Sequence, residues 1–275
     1  MKTKKIIGIL LICIFTASAA ISGYLFFTQF RDAKNSAETF EDLAALIQNV
    51  EASQTERPDD TESGDVSQPS ETDSPAEEDL IAAEAELAYA KYGALYEQNS
   101  DFVGWICIEG TNINYPVMQT PDNPDYYLKH SFERTYSDYG VPYLDEACEI
   151  GVSNNLVIYG HHMSNGTMFC DLDGYTDKTF CDAHPIIRFD TLSSFGEYEV
   201  IAVFRYNTNR EDFRYDKYVT MDEKTFASFM EQVQERQIYS TGRSAEYGDQ
   251  LLTLSTCEYT YKNGRLVIVA RKVVQ

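Results

Sequence analysis

Leu251-Leu252-Thr253-Leu254-Ser255-Thr256-Cys257 is a short run of aliphatic and small hydroxyl residues that ends on a thiol. A run of this length, apolar almost throughout and bounded by polar residues, reads as a buried β-strand. On its own, a cysteine closing a strand is ordinarily a small core residue. The next segment changes the reading. Lys262-Asn263-Gly264 has turn chemistry, and Arg265 then opens a second apolar run that extends to Val274. If the two runs form a hairpin, the Cys257 thiol and the Arg265 guanidinium lie side by side at one end of a sheet. A guanidinium in that place lowers the pKa of a thiol and can also bind a developing oxyanion.

Working back along the chain, short strand-like runs recur between turn residues: Gly104 to Ile108, Ile113 to Met118, Val141 to Leu144, Leu156 to Tyr159, Ile186 to Phe189 and Tyr198 to Arg205. With the two runs around Cys257 they make eight short strands and few long helices. That composition predicts a mainly β fold, a closed or nearly closed antiparallel-rich barrel with flanking helices. Ahead of the strands, Leu80, Ala83, Leu87, Ala90 and Ala94 recur at helical spacing, which predicts a packing helix ending near Asn99. A second helix interrupts the strands. Thr220 to Glu223 has capping-box spacing, and Phe226, Phe229, Met230 and Val233 line one face, so a helix over Thr220 to Gln237 is inserted before the cysteine strand.

His161 supplies the group that thiol chemistry lacks. Asn155 to Tyr159 is a strand closed by Gly160, and the histidine after that glycine is expected at a barrel mouth. A lone histidine is ordinarily structural, but here it accompanies a strand-end thiol, and nucleophilic cysteine chemistry needs that pair to carry a proton to the leaving amine. His162, adjacent on extended chain, faces the opposite way, so the two imidazoles are not expected to share a metal. Asp171-Leu172-Asp173-Gly174 lacks the later ligands of a calcium loop. His130 and His184 have no visible partner. Neither a metal nor a cofactor is called for.

The N-terminus places the chain in a compartment. Lys2, Lys4 and Lys5 precede an uncharged stretch, residues 6–27, long enough to cross a bilayer as a helix, with a cytoplasmic N-terminus favoured by the lysines. A cleaved signal peptide ending near Ala17-Ser18-Ala19 is the alternative. Residues 1–30 are therefore expected to be a single-pass anchor in the cell membrane, and residues 80–275 an extracellular catalytic domain. Between them, residues 31–79 read as an acidic spacer, with weak helical patterning over Phe30 to Val50. From Glu51 to Asp79 there are eleven acids against Arg57, a composition too polar to order itself. The formal charge of −22 excludes a nucleic-acid partner. Of the six cysteines, Cys13 falls in the apolar stretch, which leaves an odd number outside and at least one free thiol.

Taken together, Tyr159-Gly160-His161, Thr253-Leu254-Ser255-Thr256-Cys257 and Arg265 at the head of the last strand resemble the sortases, from about Tyr96 to Val274. The run Gly110-Thr111-Asn112-Ile113-Asn114-Tyr115-Pro116-Val117 and the two helices resemble the class B branch. The resemblance implies a sortase-like eight-stranded barrel and a transpeptidase. Such an enzyme cleaves an Asn-Pro-x-Thr type sorting signal of a surface protein and passes the acyl group to an amine of the peptidoglycan precursor. By position it implies Cys257 as nucleophile, His161 as general acid and base and Arg265 as oxyanion stabiliser. The backbone NH of Glu258 becomes a second oxyanion donor, and Leu128, Thr208, Ser255 and Thr256 fall along the substrate groove. Tyr259 stands where some class B members carry an acid. Two rivals remain open on sequence: a catalytically dead surface-binding barrel, and a cysteine peptidase that releases its product to water.

Overall fold

A computed structural model describes residues 2–55, 76–209, 213–260 and 262–273. Eight strands alternate with loops and helices: β1 Phe102–Cys107, β2 Asn114–Met118, β3 Tyr143–Leu144, β4 Asn155–Tyr159, β5 Ile186–Thr191, β6 Glu197–Asn207, β7 Leu251–Glu258 and β8 Gly264–Lys272. They close into a barrel in the order β1-β2-β3-β4-β7-β8-β6-β5, with β1 pairing β5 to complete the ring. Closure gives every one of these strands a neighbour on both sides. Two of the pairings are parallel, β2 with β3 and β4 with β7. Val157, Ile158, Leu254, Val267 and Ile268 are fully buried, and since neighbours along a strand face opposite sides, the sheet is packed on both faces there.

β4 and β7 are separated by a long crossover, and side chains as well as ladder bonds set their register. The Thr253 hydroxyl donates to the Asn155 side-chain oxygen at 2.8 Å. The Asn155 amide donates in turn to the Tyr218 carbonyl at 2.8 Å, and its backbone NH reaches the Val219 carbonyl. The Thr253–Asn155 bond is buried and the Asn155–Tyr218 bond part-buried, so each is costly to leave unmade.

Among the described residues four α-helices accompany the barrel: α1 Lys2–Thr55, α2 Ala76–Gln98, α3 Lys178–Ala183 and α4 Glu223–Arg236. α4 lies between β6 and β7, as the sequence predicts, but its cap differs. Asp222, not Thr220, is the N-cap, its side chain accepting from Thr225 NH, and acceptance by a carboxylate at that position outweighs the capping-box pattern. α2 also packs on a different face from the expected one. Ala88, Tyr92 and Leu95 are buried, whereas Leu80 and Leu87 are exposed. Tyr92 sets the rotation, because its hydroxyl donates to Asp190 at 2.6 Å and its ring carries more buried area than any alanine.

α1 is one continuous helix through the apolar stretch and part of the segment read as a spacer. Among the described residues it is the helix long and apolar enough to cross a membrane, its most apolar 18-residue stretch having a mean hydropathy of 2.2. Its outer half lies on the barrel domain. Phe40, Leu43 and Ile47 are buried there, Phe40 meets Tyr115 edge-on at 5.0 Å, and the Asp32 carboxylate accepts from Asp138 NH at 2.7 Å. Residues 31–55 are thus helical. Residues 56–75 of the expected spacer lie outside the described residues.

Replacing Asn155 by alanine strands the Thr253 hydroxyl and the Tyr218 carbonyl in the core. We expect Asn155→Ala to lose about 1–3 kcal/mol of unfolding free energy in urea titrations of the full chain. A loss under about 0.5 kcal/mol would mean that these bonds do not hold the register.

Candidate active site

Cys257 sits near the end of β7, between two neighbours whose registers bring chemistry to it. On the antiparallel side, Cys257 faces Arg265 of β8 directly, and Tyr206 of β6 faces Arg265 in turn. On the parallel side, β4 tracks β7 from Asn155 opposite Leu251 to Tyr159 opposite Ser255. Beyond the last pair, Gly160 NH donates to the Ser255 carbonyl at 3.1 Å and the Thr256 hydroxyl donates to the Gly160 carbonyl at 2.8 Å. The alignment therefore continues past the strand and brings His161 level with Cys257. Neighbouring strands are about 4.8 Å apart, so thiol, imidazole and guanidinium stem from adjacent positions on one rim. All three residues are half-buried.

Gly160 is where the chain leaves the sheet, and the space there admits no side chain. A Cβ would stand 2.5 Å from the ring of Phe169, which is fully buried. Phe169 is itself held by its NH donating to the His161 carbonyl at 2.8 Å. The histidine backbone is thereby clamped between strand and strap. At the ring, Nε2 lies 2.7 Å from the Leu128 carbonyl, which only accepts, so Nε2 carries the hydrogen and Nδ1 is the free base. Burial pushes the His161 pKa below its ordinary value, with Lys129 and Arg265 acting the same way and the Leu128 carbonyl and Asp138 opposing. The neutral imidazole, able to take a proton, is the favoured form.

Arg265 donates to the Gly264 carbonyl at 3.0 Å; burial raises the pKa values of Tyr143, Tyr215 and Tyr259 and lowers that of His161, and the Arg265 charge opposes the rise at the three phenols and adds to the fall at the imidazole. The guanidinium is thus set among three phenols and the imidazole. Ser255 is buried, its hydroxyl 2.7 Å from that of Tyr215, whose pKa burial lifts to about 12 against the pull of Ser255 and Arg265. Thr256 is buried on its bond to Gly160. Leu128 contributes the carbonyl that orients His161. Glu258, opposite Gly264, accepts from Arg205 and Thr260. Thr208 stands just past β6 and donates twice to the Asn263 carbonyl in the β7–β8 turn, at 3.0 Å from its NH and 3.2 Å from its hydroxyl.

Tyr215 at this rim was not singled out from sequence, because nothing in its spacing ties it to Cys257. His130 and His184, for which sequence offered no partner, each have one. His130 Nδ1 is 2.7 Å from the Tyr126 carbonyl and its ring stacks on Tyr126, while His184 Nδ1 is 2.8 Å from the Glu109 carbonyl.

The sortase domain model matches residues 106–273, more than half of the chain. The chain belongs to the sortase family, cysteine transpeptidases of surface proteins. Sortase B of Listeria monocytogenes is 34% identical over 184 residues, 66% of this chain and 73% of its own length. Sortase B of Staphylococcus aureus is 31% identical over 198 residues, 70% of this chain and 78% of its own. Among solved structures, Clostridium perfringens sortase B superposes with a TM-score of 0.62 at 28% identity, covering 66% of this chain and 99% of that one. A Staphylococcus aureus sortase B–substrate complex superposes at 0.61, also at 28% identity, covering 71% and 94%. Within the family, the chain is a class B sortase.

Because burial disfavours the imidazolium, His161 is expected to titrate below the ordinary 6.5 in the folded chain. The unfolded chain takes up this proton first, so the contribution of neutral His161 is complete above about pH 6.5 and is lost as pH falls through the lowered folded value. Nitrogen chemical shifts of histidine-labelled protein measure the midpoint, and a value at or above 6.5 would contradict the burial argument.

Proposed function

We propose that Cys257 is the nucleophile of this transpeptidase, His161 its proton carrier and Arg265 its oxyanion stabiliser. The observation that carries the reading is the double register of β7, which sets Cys257 opposite Arg265 on one side and level with His161 on the other. His161 Nδ1 takes the thiol proton as sulfur attacks the scissile carbonyl, and the same proton goes to the departing amine as the tetrahedral centre collapses to a thioester. Arg265 and the backbone NH of Glu258 face the oxygen on which negative charge builds, where one donor is worth roughly 3 kcal/mol of barrier. An incoming amine then attacks the thioester, His161 accepts its proton, and the thiol is regenerated.

The substrate we assign is a C-terminal sorting signal of the Asn-Pro-x-Thr kind, cut after the threonine, with Leu128, Thr208, Ser255 and Thr256 along or beneath the groove. The acceptor is an amino group of the peptidoglycan precursor. α1 supports a location at the cell membrane, with residues 6–27 in the bilayer, the N-terminus in the cytoplasm and the barrel outside. Its three leading lysines and exposed apolar surface are the supporting features.

The test uses full-length protein in detergent, a set of Asn-Pro-x-Thr and Leu-Pro-x-Thr peptides, and candidate amines, with products read by mass spectrometry. We expect cleavage of the Asn-Pro-x-Thr peptides and a peptide–amine product. Cys257→Ala is expected to abolish both, and Arg265→Ala to lower turnover at least roughly a hundredfold without moving the unfolding midpoint. Near-normal turnover in Arg265→Ala would remove its assigned role, and release to water at a rate indifferent to amine would mark a peptidase.

A further inference from the structure

The residue after His161 belongs to a second group of reactive side chains. His162 Nε2 lies 2.7 Å from an Asp173 carboxylate oxygen and 3.7 Å from the Cys170 sulfur. All three donor atoms fall within 4.8 Å of one another. Both contacts use the same ring nitrogen. A proton relay needs the acid on one nitrogen and the thiol on the other, so this is not a second cysteine–histidine–acid triad. One imidazole nitrogen, one sulfur and one carboxylate converging on a point is the donor set of a borderline-soft divalent cation.

The backbone holds these donors in place before any ligand arrives. His162 forms a β-bridge with Met168, two residues before Cys170. Cys170 and Asp173 both sit on the 3₁₀ helix Phe169–Thr176. That helix is fastened through Asp171, which accepts from Asn112 NH at 2.7 Å and from its side-chain amide at 2.9 Å. Tyr259 closes over the imidazole, ring centroids 5.2 Å apart and edge-on, and its hydroxyl donates to the His162 carbonyl.

Ligand atoms about 2.0–2.3 Å from a tetrahedral zinc stand roughly 3.3–3.8 Å from one another. The imidazole–sulfur separation of 3.7 Å already meets that requirement. The imidazole–carboxylate contact at 2.7 Å must open by about half an ångström, and Asp173, with 53% of its side chain exposed, is free to swing outward.

We propose that His162 Nε2, Cys170 Sγ and the Asp173 carboxylate form a binding site for a zinc-type divalent cation, with water in the fourth position. On binding, the Cys170 S–H bond breaks as the sulfur–metal bond forms and its proton leaves to the buffer, while the Nε2 hydrogen that Asp173 accepts moves to Nδ1 and frees the Nε2 lone pair for the cation. The site is separate from the proposed catalytic roles and does not depend on them. Its ligands are eight and eleven residues apart from His162 along the chain, a spacing that no compact metal motif in the sequence displays.

Cobalt(II) is the probe, because a thiolate–cobalt bond gives a near-ultraviolet charge-transfer band that carboxylate or imidazole alone does not. Full-length protein in detergent, carrying Cys257→Ala to remove the competing thiol, is titrated with cobalt and then with zinc. We expect a charge-transfer band that saturates at one equivalent and is displaced by zinc. The band should vanish on adding Cys170→Ser, and the cobalt Kd should rise roughly tenfold or more on adding Asp173→Asn. Circular dichroism confirms that each variant is folded, and Asp173→Asn, at an exposed position, keeps the test open should Cys170→Ser misfold. No band in the parent, a band that survives Cys170→Ser, or an unchanged Kd in Asp173→Asn would overturn the site.

Discussion

The position of β7 between a parallel and an antiparallel neighbour is the constraint on which the rest of the molecule depends. The side-chain period of a strand is two, so a slip of one residue in either pairing turns Cys257 away from its partners. The protein pins both ends of the β4–β7 register with side chains: Thr253 on Asn155 deep in the core, and Thr256 on the Gly160 carbonyl at the rim. The β7–β8 register is carried by ladder pairs from Leu251 opposite Arg271 to Glu258 opposite Gly264. Barrel closure then removes the freedom of the ring as a whole to shear.

His161 lies beyond the last strand residue, where ladder bonds no longer hold the chain, and its position is rebuilt from other contacts. Phe169 fills the space that Gly160 leaves empty, and the Leu128 carbonyl fixes the tautomer. The loop carrying Leu128 is tied in turn to Lys129–Asp138, and the NH of Asp138 is held by Asp32 of α1. A contiguous set of hydrogen bonds thus runs from the helix that emerges from the apolar stretch to the imidazole. The same helix that reads as a membrane span also supports the wall of the site.

Much of this was legible in the residues. All eight strands were visible as short apolar runs between turn residues, and the Lys262-Asn263-Gly264 turn paired Cys257 with Arg265 before any coordinates did. The parallel pairing of β4 with β7 was not legible, because a crossover of more than ninety residues leaves no local mark on either strand. The packing face of α2 was misjudged by following aliphatic spacing, whereas a single tyrosine with a buried carboxylate partner sets the rotation. The docking of the outer half of α1 was hidden because Phe40, Leu43 and Ile47 are a sparse stripe in a polar segment. The His162–Cys170–Asp173 cluster escaped for a similar reason: a 3₁₀ helix, which the sequence did not announce, brings its members together.

The claim that Cys257 carries the acyl group is tested most directly by trapping that intermediate. Full-length protein is mixed with an Asn-Pro-x-Thr peptide in the absence of amine, quenched in acid within the first turnover, digested and mapped by mass spectrometry. The account predicts the acyl mass on the fragment containing Cys257 and on none that contains Cys13, Cys107, Cys148, Cys170 or Cys181. An adduct on another residue, or peptide cleavage with no adduct at any time, would contradict it.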